Sequence, residues 1–309
     1  MATYAIIVGI NYYNDPDNRL NGCINDMLDY EKLLLDSGVP TENIVRISDD
    51  PDRKDIYPSK ANLLKQYEIL HQKIKEGDKV FLTYSGHGTN TRQASKDEPD
   101  NQTEAIYTAD GKLITDNEFY DKVLKVKKGV KVAVVMDCCH SASILDLKNG
   151  VGKNESNRPD NKNHGYVAMI SGCQDDQTSA DYLAEREIKY KDRATGQKRY
   201  RGALTAGIVE TIKKEGLQSM LDTAFSGSIT LMRNLRNRIL KWLQKNGFDQ
   251  VPNIAYEGYL PPVRREGILH AFHGKYPHRV TKARADRFVD GQEQLEQKRL
   301  QAGRRQRVG

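Results

Sequence analysis

A histidine and a cysteine lie in two short polar segments, each of which directly follows an apolar run. His87 stands between two glycines in the segment YSGHG (residues 84–88), and Cys139 is the second of two adjacent cysteines in DCCHS (residues 137–141). A thiol becomes an effective nucleophile when a neighbouring imidazole holds its proton in a thiolate–imidazolium pair. These residue types are therefore those of nucleophilic catalysis by a cysteine.

The apolar runs before these segments predict buried β-strands. They read KVFLTY (residues 79–84) and KVAVVM (residues 131–136). Continuous apolar runs are typical of parallel strands that are covered on both faces, and neighbouring parallel strands lie roughly 5 Å apart. Because groups that follow adjacent strand ends can reach one another, we expect His87 and Cys139 to meet at the carboxyl edge of a sheet.

The rest of the chain alternates between strand-like and helix-like patterns, which predicts an α/β fold with a mostly parallel sheet. Two polar stretches, residues 149–164 and 185–201, have no apolar period and are predicted to be loops. The other predicted strands span residues 4–9, 44–47, 166–171 and 252–256, and the predicted helices span residues 23–35, 61–74, 202–214 and 226–245. A polar stretch at 89–104 is followed by a short segment at 105–109 and by one more helix that begins near residue 116.

The composition excludes several classes of protein. The chain has 309 residues, of which 29% are charged and 38% hydrophobic, so it can form a core but is too charged for a membrane protein. Four cysteines, two of them adjacent, are too few for a disulfide framework and are expected to be thiols. The N-terminal segment lacks the regions of a secretion signal, so we expect a cytoplasmic protein.

Basic residues are concentrated toward the C-terminus. The net charge is +6, from 48 Lys and Arg against 42 Asp and Glu. From residue 275 onward the chain is rich in Arg, Lys and Gln and poor in large apolar residues, which is typical of a solvated appendage. The alternative is a nucleic-acid tether, and we do not expect it because no aromatic stacking residues are interleaved with the charge.

Five sequence blocks resemble, in the expected order, those of the metacaspases, a family of caspase-like cysteine peptidases. They read YAIIVGINYY, LNGCINDM, YSGHG, MDCCHS and ISGCQDDQTSAD, and they extend over about residues 5–256. A histidine about 50 residues before the cysteine is also the caspase spacing. The resemblance implies a caspase-like sandwich, an α/β fold whose mostly parallel central β-sheet is flanked by helices.

The resemblance also implies a domain organisation. A caspase-like peptidase domain would span residues 1–262, with a p20-like part at 1–150 and a p10-like part at 165–262. Residues 263–309 would form a basic C-terminal extension. Because metacaspases are more often monomers than caspases are, we expect a monomer that acts on protein or peptide substrates.

By the same resemblance, His87 and Cys139 would form the catalytic pair of a cysteine endopeptidase that works through a thioester acyl-enzyme. The backbone N–H groups of Gly88 and Cys139 would stabilise the oxyanion. Taken singly, a histidine or a cysteine is more often structural. Cys138 is interpreted as a packed core thiol, and His140 as a residue that orients the backbone or faces a neighbouring element.

Four residues match the family's pocket for the P1 side chain, which precedes the cleaved bond: Cys23, Asp26, Ser85 and Asp137. Asp137 precedes Cys139 by two positions, so strand alternation would put both on one face. Two carboxylates in a narrow cleft favour a guanidinium or ammonium group, so we expect cleavage after Arg or Lys. The alternative is that Asp26 and Asp137 are structural acids bonded to backbone groups.

The resemblance further implies a calcium site near the cleft, at Asp116 and Asp146, since calcium takes hard oxygen ligands. Asn117 and Thr103 stand where the family has two more acids. Calcium affinity depends on ligand charge, so we expect a degraded site and calcium as a candidate activator, with no required cofactor. The neighbouring acids that could substitute are Asp97, Asp100 and Glu104.

The two polar stretches carry basic residues and are candidate sites of self-cleavage, because nicking concentrates at exposed loop tips. The alternative is that they are ordinary solvated loops. We hypothesise that residues 185–201 overlie the cleft as the inhibitory segment of a zymogen.

Ala142 replaces the glycine usual after the cysteine block. Together with the altered acids, this fits the main alternative function, a caspase-fold pseudopeptidase or interaction module.

Overall fold

The structure is a computed structural model that describes residues 1–91, 103–138, 147, 149–151, 164–172, 187–191, 198–248 and 250–258. The chain divides into two units, Met1–Pro261 and Pro262–Gly309, and the second lies outside the described residues. The predicted domain boundary after residue 262 and the character of the extension therefore stay predictions.

Twelve β-strands form within the described residues. In chain order they are β1 (Thr3–Gly9), β2 (Ile44–Ser48), β3 (Lys79–Ser85), β4 (Gly88–Thr91), β5 (Thr103–Tyr107), β6 (Leu113–Thr115), β7 (Lys131–Asp137), β8 (Asn149–Val151), β9 (Tyr166–Ser171), β10 (Glu187–Lys191), β11 (Lys198–Gly202) and β12 (Asn253–Glu257).

Six α-helices complete this part of the chain. In chain order they are α1 (Cys23–Asp36), α2 (Lys60–Lys73), α3 (Asp116–Phe119), α4 (Ala203–Glu215), α5 (Leu217–Ala224) and α6 (Ile229–Lys245). The short α3 continues as a π-helical turn, Tyr120–Leu124. Among the described helices, none is both long and apolar enough to cross a membrane.

A seven-stranded central sheet organises the molecule, with the strand order β2-β1-β3-β7-β9-β12-β8. The neighbouring strands from β2 to β9 in this order are parallel, and β12 pairs antiparallel with both of its neighbours, β9 and β8. The last residues of β3 and β7, Ser85 and Asp137, are register partners, so the segments after both strands begin side by side. The predicted α/β fold, a mostly parallel sheet flanked by helices, is confirmed.

Side chains alternate between the two faces of the central sheet and form two cores. In β1, Ile6 and Val8 pack in one core with α2 and the π-helical turn, whereas Ala5 and Ile7 pack in the other with α1 and the helices α4 to α6. Each fully buried aliphatic side chain contributes about 1.5–3 kcal/mol. Coverage on both faces is the reason for the continuous apolar runs in the sequence.

Several elements were not expected from the sequence. The stretch predicted as a loop at 185–201 contains β10 and β11, which pair as an antiparallel hairpin. The predicted loop at 149–164 begins with β8, the edge strand beside β12, and β4, β5 and β6 form a small separate sheet. The hairpin strands read EIKYK and KRYRG, and this high charge hides the apolar alternation by which strands are recognised.

Candidate active site

His87 occupies the turn between β3 and β4 and is half-buried. Its imidazole Nε2 lies 2.7 Å from the backbone carbonyl oxygen of Asn18. Because a carbonyl oxygen only accepts hydrogen bonds, Nε2 must carry the proton of the neutral ring. The lone pair that can take a further proton is therefore on Nδ1, and the histidine is prepared to act as a base at that atom.

Three tyrosines around His87 form a cluster that sequence reasoning missed. They are Tyr12, Tyr84 and Tyr107, and we call them the tyrosine cluster. The Tyr12 ring lies 4.6 Å from the His87 ring and 5.7 Å from the Tyr107 ring, measured between centroids. The doublet NYY after β1 was visible in the sequence, but nothing local to it indicates a contact with a residue 75 positions away.

The predicted nucleophile, Cys139, and the adjacent His140 lie outside the described residues. The chain that leads to them is described as far as Cys138. Asp137 ends β7 with its carbonyl oxygen 3.5 Å from the backbone nitrogen of Gly86, so the segment after β7 leaves the sheet next to the turn that carries His87. Cys138 is fully buried and reduced, as expected for a packed core thiol.

Asp26 and Asp137 meet in the structure, and we call them the acid pair. Both carboxyl groups are buried, with 0% and 4% of the residue exposed. Ser85 Oγ donates to Asp26 Oδ2 at 2.6 Å, and the Gly202 N–H lies 3.0 and 3.1 Å from the two Asp26 oxygens. The N–H and hydroxyl of Thr205 donate to Asp137 Oδ2 at 2.9 and 2.8 Å.

Gly202 fits between the two carboxyl groups because it has no side chain. A Cβ atom at this position would lie 2.2 Å from Asp137 Oδ2 and 2.8 Å from Asp26 Oδ2. Both acids therefore contact the junction of β11 and α4, and Asp137 accepts from the first turn of α4, where N–H groups lack partners within the helix. These contacts are also the ones expected under the alternative interpretation, in which Asp26 and Asp137 are structural acids bonded to backbone groups.

One oxygen of the acid pair differs from the others. Among the described residues, no group donates a hydrogen bond to the buried Asp137 Oδ1, so this oxygen can accept one from a further donor. Burial and then the charge of Asp137 raise the pKa of the Asp26 carboxyl well above its usual range, against the hydrogen bonds from Ser85 and Gly202. The Asp26 carboxyl therefore retains its proton to higher pH than an isolated carboxyl would.

The remaining predicted site residues fall in two places. Cys23 begins α1 and is buried, and its N–H donates to Asn11 Oδ1 at 3.1 Å. It belongs to the same end of α1 as Asp26. Gly88, the predicted oxyanion residue, begins β4 and pairs with Ile106 of β5.

Two of the candidate calcium residues lie at the small three-stranded sheet: Glu104 on β5, and Asp116, which directly follows β6 as the first residue of α3. Ala105 and Thr115 are register partners in antiparallel β5 and β6, so Glu104 and Asp116 lie side by side, and both are buried. Asp97, Asp100 and Asp146 lie outside the described residues. In the part of the chain that the structure describes, no group of three or more His, Cys, Asp or Glu residues is placed to hold a metal ion.

The fold and the site together define a class of protein: an α/β sandwich in which a histidine and a buried acid pair gather at the carboxyl edge of parallel strands. Among solved structures, a protein from Geobacter sulfurreducens, GSU0716, matches 85% of this chain and 96% of its own chain with a TM-score of 0.57 at 22% identity. That likeness concerns the fold alone.

Sequence comparisons supply the family. The model of the metacaspase peptidase C14 domain matches residues 4–148. Metacaspase-3 of Trypanosoma cruzi is 30% identical over 268 residues, which cover 81% of this chain and 70% of that protein. Metacaspase-1A of Aspergillus oryzae is 37% identical over 148 residues, 46% of this chain, and the match spans only about a third of that relative's length, 35%. The chain belongs to the metacaspase family.

Proposed function

We propose that the chain is a cysteine endopeptidase that cleaves proteins after Arg or Lys. The observation that carries this proposal is the position of His87: it lies in the turn after β3, with Nε2 donating to the Asn18 carbonyl oxygen, next to the strand that leads into Cys139. In a member of the metacaspase family, this arrangement supports a cysteine–histidine pair.

The proposed reaction begins when the thiol proton of Cys139 moves to His87 Nδ1. The thiolate attacks the carbonyl carbon of the cleaved peptide bond, and the N–H groups of Gly88 and Cys139 stabilise the resulting oxyanion. The C–N bond breaks as the imidazolium donates its proton to the leaving amine, which leaves a thioester. Water, deprotonated by His87, then attacks the thioester, and the acid product and free thiol are released.

The acid pair supports the preference for a basic P1 side chain. Two buried carboxyl groups share one site, and Asp137 Oδ1 is an acceptor to which no described residue donates. A guanidinium or ammonium donor would satisfy that oxygen with a charge-assisted hydrogen bond. An acidic P1 side chain would instead meet like charge, so the same site disfavours caspase-type substrates.

Fluorogenic peptides that differ only in a P1 residue of Arg, Lys or Asp test the proposal. We expect hydrolysis after Arg and Lys and none after Asp, with activity absent in Cys139→Ala. Asp137→Asn is expected to lose about 10- to 100-fold in kcat/KM for the basic substrates, because a charged hydrogen bond to the cation is lost. Asp52→Asn, at an exposed loop position, is the matched control and should behave as wild type.

Two results would contradict this function in different ways. Hydrolysis of the Asp substrate alone would overturn the pocket assignment while leaving a peptidase. The absence of hydrolysis of every substrate, with and without calcium, by folded protein would favour the alternative, a pseudopeptidase or interaction module of the same fold.

We further propose calcium as an activator held by Glu104, Asp116 and Asp146. The buried carboxylates of Glu104, on β5, and Asp116, the first residue of α3 directly after β6, offer the hard oxygen ligands that calcium takes, which supports the fit. Calcium is expected to raise the thermal unfolding temperature of wild type and not of Asp116→Asn, which provides a readout independent of activity. No shift of wild type at millimolar calcium would contradict this proposal.

The hairpin β10–β11 is proposed to restrain the enzyme before self-cleavage. Its base is joined to α1 by an ion pair between Arg201 and Asp29, with Nε to Oδ2 at 2.6 Å and Nη2 to Oδ1 at 2.7 Å. This contact lies next to Gly202 and therefore next to the acid pair. Concentrated wild-type protein should cleave itself within 149–164 or 185–201, and Cys139→Ala should not. A single unaltered band of active wild type after prolonged incubation would refute self-processing.

A further inference from the structure

We infer that Tyr12 is a positioning residue for His87: its hydroxyl holds the histidine backbone, and its ring supports the imidazole. The inference rests on the proposed Cys139–His87 reaction and adds to it the group that determines where the base stands. Tyr12 lies in the segment between β1 and α1 and is almost completely buried. It is expected to touch neither substrate nor the reacting sulfur.

The hydrogen bonds of the tyrosine cluster account for both backbone groups of His87. The His87 N–H donates to the Tyr12 hydroxyl at 2.8 Å. The Tyr84 hydroxyl lies 2.8 Å from the His87 carbonyl oxygen, which also accepts from the Tyr107 N–H at 3.0 Å. The backbone of His87 is thus held by the hydroxyl groups of Tyr12 and Tyr84 and by the backbone N–H of Tyr107.

The protons of the two hydroxyl groups can be assigned from their neighbours. Two carbonyl oxygens, of His87 and Tyr107, can only accept, and the two hydroxyl groups have one proton each. The Tyr12 hydroxyl donates to the Tyr107 carbonyl at 2.8 Å, and the Tyr84 hydroxyl has two carbonyl acceptors within reach, that of His87 at 2.8 Å and that of Tyr107 at 2.9 Å. Burial raises the pKa of both Tyr12 and Tyr84 well above the usual value, so the arrangement persists at every pH at which a peptidase would be assayed.

Glycine at position 86 makes room for this arrangement. A Cβ atom there would lie 2.8 Å from the Tyr84 hydroxyl oxygen and 3.0 Å from that of Tyr12. The two tyrosine hydroxyl groups therefore explain why the first glycine of the YSGHG segment has no side chain: they occupy the space that a Cβ atom at position 86 would need.

The backbone of Tyr12 is itself held in an unusual conformation. Its φ of 56° is the one positive value among non-glycine residues in the described part of the chain, and this left-handed region is unfavourable for a bulky residue. Asp49 stabilises it, because its Oδ1 accepts the N–H of Asn11 and its Oδ2 accepts the N–H of Tyr13, each at 2.8 Å. The Asp49 carboxylate thus binds the backbone N–H groups on both sides of Tyr12.

The same segment also contains the Asn18 backbone carbonyl, which determines the tautomer of His87. The Tyr12 carbonyl accepts from the Asp15 N–H at 2.9 Å, and the Asp15 carbonyl accepts from the Asn18 N–H at 3.1 Å. Asn18 in turn offers its carbonyl to His87 Nε2. Displacement of Tyr12 is therefore expected to disturb the ring contact, the backbone contact and the Nε2 contact together.

The test measures the alkylation rate of Cys139 against pH, with the modified cysteine identified by peptide mass spectrometry, alongside kcat and KM. In wild type we expect alkylation to persist well below pH 8.5, because the imidazolium stabilises the thiolate. Tyr12→Phe keeps the ring and removes the hydroxyl. In this variant, the low-pH limb of the profile, the part of the alkylation rate that persists below pH 8.5, should move to higher pH. We expect kcat to fall about 10- to 100-fold with KM little changed, since small displacements of a catalytic group have effects of this order.

Asp49→Asn is the second variant, because its amide nitrogen cannot accept one of the two flanking N–H groups; it should shift the limb in the same direction even if Tyr12→Phe folds poorly. Tyr67→Phe is the matched control: Tyr67 is also buried but packs in the core against Phe119. Its profile should equal that of wild type.

The outcomes separate the two proposals. If wild-type Cys139 shows no low-pH limb, the proposed thiolate–imidazolium pair fails and this inference fails with it. If wild type shows the limb and the folded Tyr12 and Asp49 variants retain it with unchanged kcat, the peptidase proposal stands and the positioning role is refuted. An equal shift in Tyr67→Phe would likewise refute it, since any loss of a buried hydroxyl would then have the same effect.

Discussion

Asp26 and Asp137 place four carboxyl oxygens in one buried site between α1 and α4. Three of these oxygens accept hydrogen bonds from Ser85, Gly202 and Thr205, and the fourth has no partner in the part of the chain that the structure describes. Two buried carboxyls this close cannot both ionise without cost, because each charge loses its hydration and repels the other. The same side chains therefore support the local fold and leave an acceptor for the proposed P1 cation.

The raised pKa of Asp26 predicts a pH-dependent stability. Its folded-state pKa lies above the unfolded value of about 3.9, so the folded state binds the proton more tightly. The stabilisation is complete at low pH and is lost as the pH rises through the folded pKa, at up to about 1.4 kcal/mol per pH unit. Relative to wild type, Asp26→Asn should therefore become more stable as the pH increases from about 4.

Urea unfolding of wild type and Asp26→Asn between pH 4 and pH 8 measures this difference. Asp52→Asn, at an exposed loop position, should give a curve parallel to that of wild type. A constant offset between wild type and Asp26→Asn across the whole range would show that Asp26 titrates alike in the folded and unfolded states.

At the scale of elements, the junction of β11 and α4 controls how closely the hairpin and the helix approach α1. Gly202 ends β11 and precedes the first residue of α4. Its φ of −64° and ψ of 139° are open to any residue. Glycine is therefore required here by the two neighbouring carboxyl groups and not by the backbone.

Gly202→Ala is predicted to destabilise the protein by about 1–3 kcal/mol, the usual cost of overpacking. The added methyl group would lie 2.2 Å from Asp137 Oδ2, so the helix or the acid must move. Gly172→Ala is the comparison variant: its Cβ would lie 3.3 Å from Leu204 Cβ, a milder contact, so a smaller loss of stability is expected. Equal midpoints in urea for wild type and Gly202→Ala would contradict the close contact.

At the scale of the whole molecule, the ends of the central sheet bear on assembly. One edge is β2, and the other is β8, a strand of three residues beside β12. Very short edge strands offer few unpaired backbone groups to a second chain. This arrangement supports the proposal that the protein is a monomer.

Light scattering after gel filtration should give the mass of one chain at micromolar concentration. Cys139→Ala is the suitable protein, because self-cleavage would otherwise complicate the mass. A mass of two chains that persists on dilution would contradict the proposal and would direct attention to the sheet edges as the interface.

Much of the fold was predictable because its signals are local. Strands β1, β3, β7 and β9 are covered on both faces and so appear as apolar runs, and α1, α2, α4 and α6 have apolar residues at helical spacing. The edge strand β8, the hairpin β10–β11 and α5 were not predicted. β8 has three residues and pairs with β12, far along the chain, the hairpin strands are highly charged, and α5 has only eight residues.

The sequence by itself determined the residue types of the site, the strands they follow and the family to which the chain belongs. Only the tertiary structure decided that Asp26 meets Gly202 across 176 positions and that Tyr12 holds His87 across 75. Periodicity and motifs report on a chain's immediate neighbours, whereas these contacts arise when the packing of separate elements brings buried donors to the nearest acceptors.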